Sequence, residues 1–296
     1  MHRRGAKYRA GSVIVALVAV LTLLLPGSAL AASNKTRITV FLHGFNGRNC
    51  TQDWRELMLD MRDSGFTGPF YVVKFLSNDA QCDLGGISNA SNVSLFDYGA
   101  HSGPYGHSGT NHDNNTDIRH LSWHFAHWLR SSIPDDPPVD VIAHSMGGLI
   151  VRYALGKQSG DWPALNVEDA VTLGTPHAGV NFASWTQTVQ GDQMEPGSFF
   201  IGWLAQNAPN PQGNNGTQWT VIGSSGDVVV PRVTATNMQA AERVRYGLLP
   251  WPITHGGYMH EDGIRGASRW TGTQYESTDT FGPMRMIRVA AQSDSW

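Results

Sequence analysis

The chain has 296 residues, of which 41% are hydrophobic and only 15% charged. That charged share lies well below the roughly 25% usual for soluble domains. Together with 33 glycines, it excludes a coiled coil, a collagen-like repeat and a charged disordered polymer. A formal charge of −3 gives no basic footprint, so no nucleic-acid partner is expected.

In chain order, Arg3, Arg4, Lys7 and Arg9 form a basic head, followed by a nearly uninterrupted apolar run over 13–25. A membrane-spanning helix needs about 20 such residues, and Pro26 and Gly27 end this run early. Ala29-Leu30-Ala31 then supplies a small-x-small cleavage site. The pattern predicts a signal peptide over 1–31 and a secreted, extracellular chain over 32–296, one domain with no stable membrane span. Losing the four cations takes the formal charge from −3 to −7. Export favours disulfides, and Cys50 and Cys82 are the two cysteines. Their bond would close a loop of about thirty residues, worth roughly 3 kcal/mol through chain entropy.

A β-rich run over 37–42 ends at His43-Gly44 and predicts a buried strand. Helical spacing follows over 53–62, then a strand over 70–75. A long Gly-, Ser-, Asn- and His-rich stretch over 83–115 reads as a loop. Ile118, Leu121, Phe125, Trp128 and Leu129 share one face of a helix over 117–130. Strands are expected over 139–143, 170–173 and 219–222, a helix over 146–156, and a last strand before His255. Residues 176–218 break the alternation and read as a cleft-lining or lid excursion. Strands alternating with helices predict an α/β fold with a mostly parallel central sheet and helices on both faces.

The most informative segment runs from Val139 to Gly148. An apolar strand enters Ala143-His144-Ser145-Met146-Gly147, and a helix follows at once. Small residues two before and two after Ser145 permit a sharp turn that exposes the hydroxyl at the strand tip. A serine needs a base within reach and an acid to orient that base. Asp227 sits just after an apolar strand, where a carboxylate would be presented; Asp192, Glu195 and Asp262 are less well placed. Three histidines lie downstream: His177, His255 and His260. His255 precedes Gly256-Gly257 and is the preferred base, with His177 expected to shape the cleft and His260 inside the next turn. An oxyanion would be held by two backbone N–H groups. Met146 follows the nucleophile and gives one; Phe45, in the glycine-bracketed loop after the first strand, gives the other.

His120, His124 and His127 share a helical face at a spacing able to bind a divalent metal. Helix histidines of this kind are more often simply solvated, so no metal and no cofactor are assigned.

Phe41-Leu42-His43-Gly44, the Ala-His-Ser-Met-Gly-Gly elbow, Leu173-Gly174-Thr175-Pro176-His177, Ser225-Gly226-Asp227 and the His255-Gly256-Gly257 loop occur in the order of the α/β-hydrolase superfamily. The chain resembles its bacterial secreted lipases and esterases. The elbow is similar to that of Bacillus-type lipases, and the segment 195–201 to that of actinobacterial lipase-like hydrolases. The resemblance implies Ser145, Asp227 and His255 as a triad, Phe45 and Met146 as oxyanion donors, and a small-molecule or lipid ester as substrate. The expectation is therefore a monomeric carboxylic ester hydrolase. The alternatives are a cutin-like or polyester hydrolase, an acyltransferase on the same fold, or an inactive binding protein.

Overall fold

In the computed structural model the described residues are 35–47, 50–95, 105, 112–181, 186–248, 251–263, 266–272, 274–279 and 281–292. They belong to the unit Ser33–Trp296; the other unit, Met1–Ala32, and with it the predicted signal peptide, lies outside them.

Nine strands form one sheet among these residues, in the order β3-β2-β1-β4-β5-β6-β7-β8-β9. They are β1 (Ile38–Leu42), β2 (Phe70–Lys74), β3 (Ala90–Ser94), β4 (Val139–His144), β5 (Val167–Leu173), β6 (Gln218–Ser224), β7 (Glu242–Tyr246), β8 (Gly266–Thr271) and β9 (Gln274–Asp279). Every pairing from β3 to β7 is parallel. The β7–β8 and β8–β9 pairings are antiparallel. The helices are α1 (Cys50–Asp63), α2 (Ile118–Ser132), α3 (Met146–Gly156), α4 (Val189–Met194), α5 (Phe199–Asn207), α6 (Arg232–Ala235) and α7 (Pro283–Ala290).

Strand alternation divides the core. Val40, Leu42, Val141 and Ala143 join α2, α3 and α5 on one face. Phe41, Phe70, Val72 and Ile142 join α1 and α7 on the other. A parallel sheet covered on both faces needs continuous apolar strands, and β4 meets this with all six residues buried. The strand order reverses its direction of growth between β1 and β4. In open α/β sheets that reversal opens a crevice at the carboxyl ends of the two strands. Both the glycine loop after β1 and the turn at Ser145 stand there.

One expectation is corrected, and two others gain detail. The stretch 83–115 contains β3, whose Ala-Ser-Asn-Val-Ser sequence has little apolar content because it is an edge strand. The last strand of the parallel set is β7, which ends nine residues before His255, away from Pro250 and Pro252. A polar hairpin, β8–β9, extends the opposite edge. The excursion 176–218 holds two helices. α5 packs on α3 through Trp203 and Phe200, whose ring centroids lie 4.6 and 5.5 Å from that of Tyr153. The buried Arg152 guanidinium donates to the carbonyls of Leu204, Ala208 and His177. Burial lowers its pKa to about 10.

Candidate active site

β4 carries Ser145 to the carboxyl edge of the sheet and α3 leaves directly behind it. At the turn Ser145 has φ 53° and ψ −127°, a region that side-chain-bearing residues rarely enter. Its N–H donates to Leu173 O at 2.9 Å, so β5 fixes the turn from the next strand. Small neighbours make the geometry attainable. A Cβ added at Gly44 would lie 2.7 Å from Ser145 Cβ, and one at Gly147 would lie 2.5 Å from His43 O. These glycines let the β1 loop, the serine and the start of α3 close on one another.

The fold brings Ser145, Asp227 and His255 together. His255 Nε2 stands 3.0 Å from Ser145 Oγ, and His255 Nδ1 stands 2.8 Å from Asp227 Oδ2. Ser145 and Asp227 are buried, and the imidazole keeps a partly open edge, with 20% side-chain exposure. Asp227 sits in the turn after β6. Its Oδ1 accepts the N–H groups of Val229 and Val230 at 3.0 and 2.8 Å. With Nδ1–H donated to the carboxylate, His255 Nε2 bears the lone pair toward the serine hydroxyl. Gly174, at φ +54°, provides room for this pair, because a Cβ there would lie 2.9 Å from Asp227 Oδ2 and 3.2 Å from His255 Nδ1.

The other two histidines lie elsewhere. His260 Nδ1 pairs with Glu56 Oε2 at 2.7 Å. His177 is buried with Nε2 3.0 Å from Thr172 Oγ1. Burial and the nearby Arg152 charge hold its pKa well below the ordinary range. Met146 opens α3, where the first N–H groups have no intrahelical partner. Phe45 follows Gly44, whose backbone abuts Ser145. Cys82 is buried and disulfide-bonded; the Cys50 side chain lies outside the described residues.

Four positioning residues escaped the sequence reading. The β1 loop is held by His43, whose Nε2 stands 2.7 Å from Asp79 Oδ2 and whose Nδ1 stands 2.7 Å from Gly44 O. Asp79 Oδ2 also accepts the N–H groups of Phe75 and Leu76. His144 Nε2–H donates to the His255 carbonyl at 2.7 Å. Burial, then the His255 charge, pushes its pKa well below the ordinary value, so its ring acts as a neutral prop. Tyr258 donates its hydroxyl to Asp227 Oδ2 at 3.2 Å. Burial and the carboxylate raise its pKa well above the usual phenol range. The local signals were His43 and His144 inside the two glycine motifs, and Tyr258 three residues past His255.

A cavity of about 690 Å³ is lined by Arg152, His177, Ile201, Met238 and Arg243 and touches none of the three residues. Val228, next in sequence to Asp227, is 88% exposed, and Trp251, four residues before His255, is 67% exposed. Among the described residues no helix is long and apolar enough to cross a membrane.

Residues 105–194 match the family described as "Putative serine esterase (DUF676)". Phospholipase PlaB from Legionella pneumophila is similar at 18% identity, over 71% of this chain and 47% of that one, with a TM-score of 0.46. A lipase, BlEst2, from Bacillus licheniformis is similar at 15% identity, over 66% and 68%, with a TM-score of 0.43. A lipase-esterase related protein from Clostridium acetobutylicum gives 13%, 76%, 90% and 0.41. The chain thus spans about half the length of that phospholipase. No curated protein sequence matches it. With a parallel sheet of this order and a strand–serine–helix elbow at its switch point, the chain has the α/β-hydrolase fold.

Proposed function

We propose that the chain is a serine hydrolase cleaving carboxylic esters through an acyl-enzyme, with Ser145, His255 and Asp227 as its triad. One observation carries this reading: the continuous path from Asp227 Oδ2 through His255 to Ser145 Oγ, with contacts of 2.8 and 3.0 Å, on an elbow at the sheet's switch point. Those are the distances required of a nucleophile, its base and the orienting acid.

In the first half-reaction Ser145 Oγ attacks the ester carbonyl while His255 Nε2 takes its proton. Asp227 keeps the proton on Nδ1 and stabilises the imidazolium. The Phe45 and Met146 N–H groups receive the developing oxyanion, aided by the positive end of α3. As the carbon–oxygen bond to the alcohol breaks, His255 returns the proton to that oxygen. Water then attacks the acyl-enzyme, giving its proton to His255 and releasing the acid and the free serine. The exposed apolar side chains of Val228, next in sequence to Asp227, and Trp251, four residues before His255, are consistent with an acyl ester rather than a charged substrate. The apolar run and small-x-small site before residue 32 support export, and Cys82 being disulfide-bonded supports its pairing with Cys50.

The direct test is Ser145→Ala assayed on a short-chain nitrophenyl ester. The expected loss is about 10⁴-fold or more in kcat, with unchanged unfolding behaviour. Residual activity above a few per cent would reject the assignment.

A further inference from the structure

The fold assembles a second cluster of chemistry-bearing side chains, outside the hydrolytic site. Spacing groups His120, His124 and His127 on α2. In the folded chain His127 leaves that set: its ring lies 3.9 Å from Trp123, and its Nε2–H donates to Asp161 O. His112, eight residues before His120, takes its place. His112, His120 and His124 are each 0% exposed. One ring nitrogen from each lies within 4.8 Å of the other two.

We propose that His112, His120 and His124 form a binding site for a divalent transition metal ion, with zinc the best fit. The proposal is independent of the esterase reading. Three features argue for it. First, the rings converge rather than stack. Their centroids are 4.6 to 5.1 Å apart and their planes are inclined at 58° to 89°. Second, the Nε2 atoms of His120 and His124, one helical turn apart, stand 3.1 Å from each other. Two nitrogens bound tetrahedrally to zinc at about 2.0–2.1 Å lie roughly 3.3 Å apart, so this pair already has the bite of two ligands. Third, His112 Nδ1–H donates to the Phe75 carbonyl at 3.2 Å. This fixes the tautomer whose Nε2 carries the lone pair, as outer hydrogen bonds do for ligating histidines.

Imidazole nitrogens without thiolates suit zinc among divalent ions and disfavour calcium or magnesium, which take oxygen ligands. Three protein nitrogens leave a fourth tetrahedral position for water. Asp79 Oδ2 accepts the Phe75 N–H, which steadies the residue whose carbonyl receives His112. The consequence is structural. A bound ion would tie the segment at His112 to α2. Through Phe75, whose ring stacks on His43 at 3.9 Å, it would also brace the loop that carries Phe45.

The test uses untagged full-length protein as purified, after chelation, and after titration with Zn²⁺ or Co²⁺. About one zinc per chain is expected, or uptake of one by the chelated protein. Zn²⁺ at a hundredfold excess over its dissociation constant should raise Tm by about 5 °C or more. Co²⁺ should give the intense visible bands of a tetrahedral ion. His120→Gln and His124→Gln should lose both signals, while His127→Ala keeps them. If neither ion moves the Tm of the wild-type chain nor gives a spectrum, the site does not exist. Equal loss in the His127 variant would also overturn the assignment. Since the wild-type titration decides alone, a variant that fails to fold leaves the test intact.

Discussion

At the scale of single residues, the backbone of Ser145 is the clearest sign of function. Its φ of 53° with ψ −127° costs of order 1–3 kcal/mol for a residue with a Cβ. Ser145→Gly should therefore abolish hydrolysis and also raise stability, by about 1 kcal/mol after the extra chain entropy of glycine. A denaturation midpoint lower than that of the wild type would contradict a strained elbow. Asp227→Asn reverses the tautomer preference of His255 while keeping its shape. A kcat loss of about 10⁴-fold is expected, with the Oδ1 contacts to Val229 and Val230 preserved. Ser145, Asp227 and His255 were legible in the sequence because each sits in a short local pattern: strand, small residues, turn. His144, Asp79 and Tyr258 were not. Their contacts join residues 111, 36 and 31 positions apart, and no local pattern encodes which side chain will meet which.

At the scale of elements, the loop after β1 is as important as the elbow it faces. His43 spans it, bonded at one nitrogen to Gly44 O and at the other to Asp79 Oδ2. The same Asp79 oxygen closes the turn after β2. Replacing Asp79 by Ala should loosen the Phe45 N–H without touching the triad. We expect kcat to fall about tenfold to hundredfold, less than or up to the full loss of an oxyanion donor, with KM nearly unchanged. A variant that changes KM alone would place Asp79 in substrate binding instead. The central strands were legible because burial on both faces demands unbroken apolar runs. β3, β8 and β9 were not: β3 and β9 are the two edge strands, β8 belongs to the same polar hairpin as β9, and their polar sequences resemble loops.

At the scale of the whole molecule, the sheet separates chemistry from stability. Ser145 leaves the carboxyl end of β4, while the other end holds a buried charge cluster. Asp140 and Asp169 are register partners on β4 and β5, and both contact one Arg37 guanidinium, at 2.6 and 2.7 Å. Burial raises both carboxyls, offset by Arg37, and Asp169 reaches about 7. The native state thus binds more protons here than the unfolded chain, whose ordinary value is 3.8. The contribution to stability is greatest at acid pH and declines as pH rises from about 4 toward about 7. Asp169→Asn should flatten that decline in a series of denaturation midpoints. An unchanged slope would show that the pair is fully ionised throughout.

The account rests on one activated oxygen, and covalent capture reads it directly. Wild-type protein treated with a fluorophosphonate should gain the mass of one phosphonyl group per chain. Peptide mapping should locate it on Ser145, and His255→Ala should slow its formation by orders of magnitude. An adduct on another residue, or none on a preparation that still hydrolyses the ester, would contradict the account.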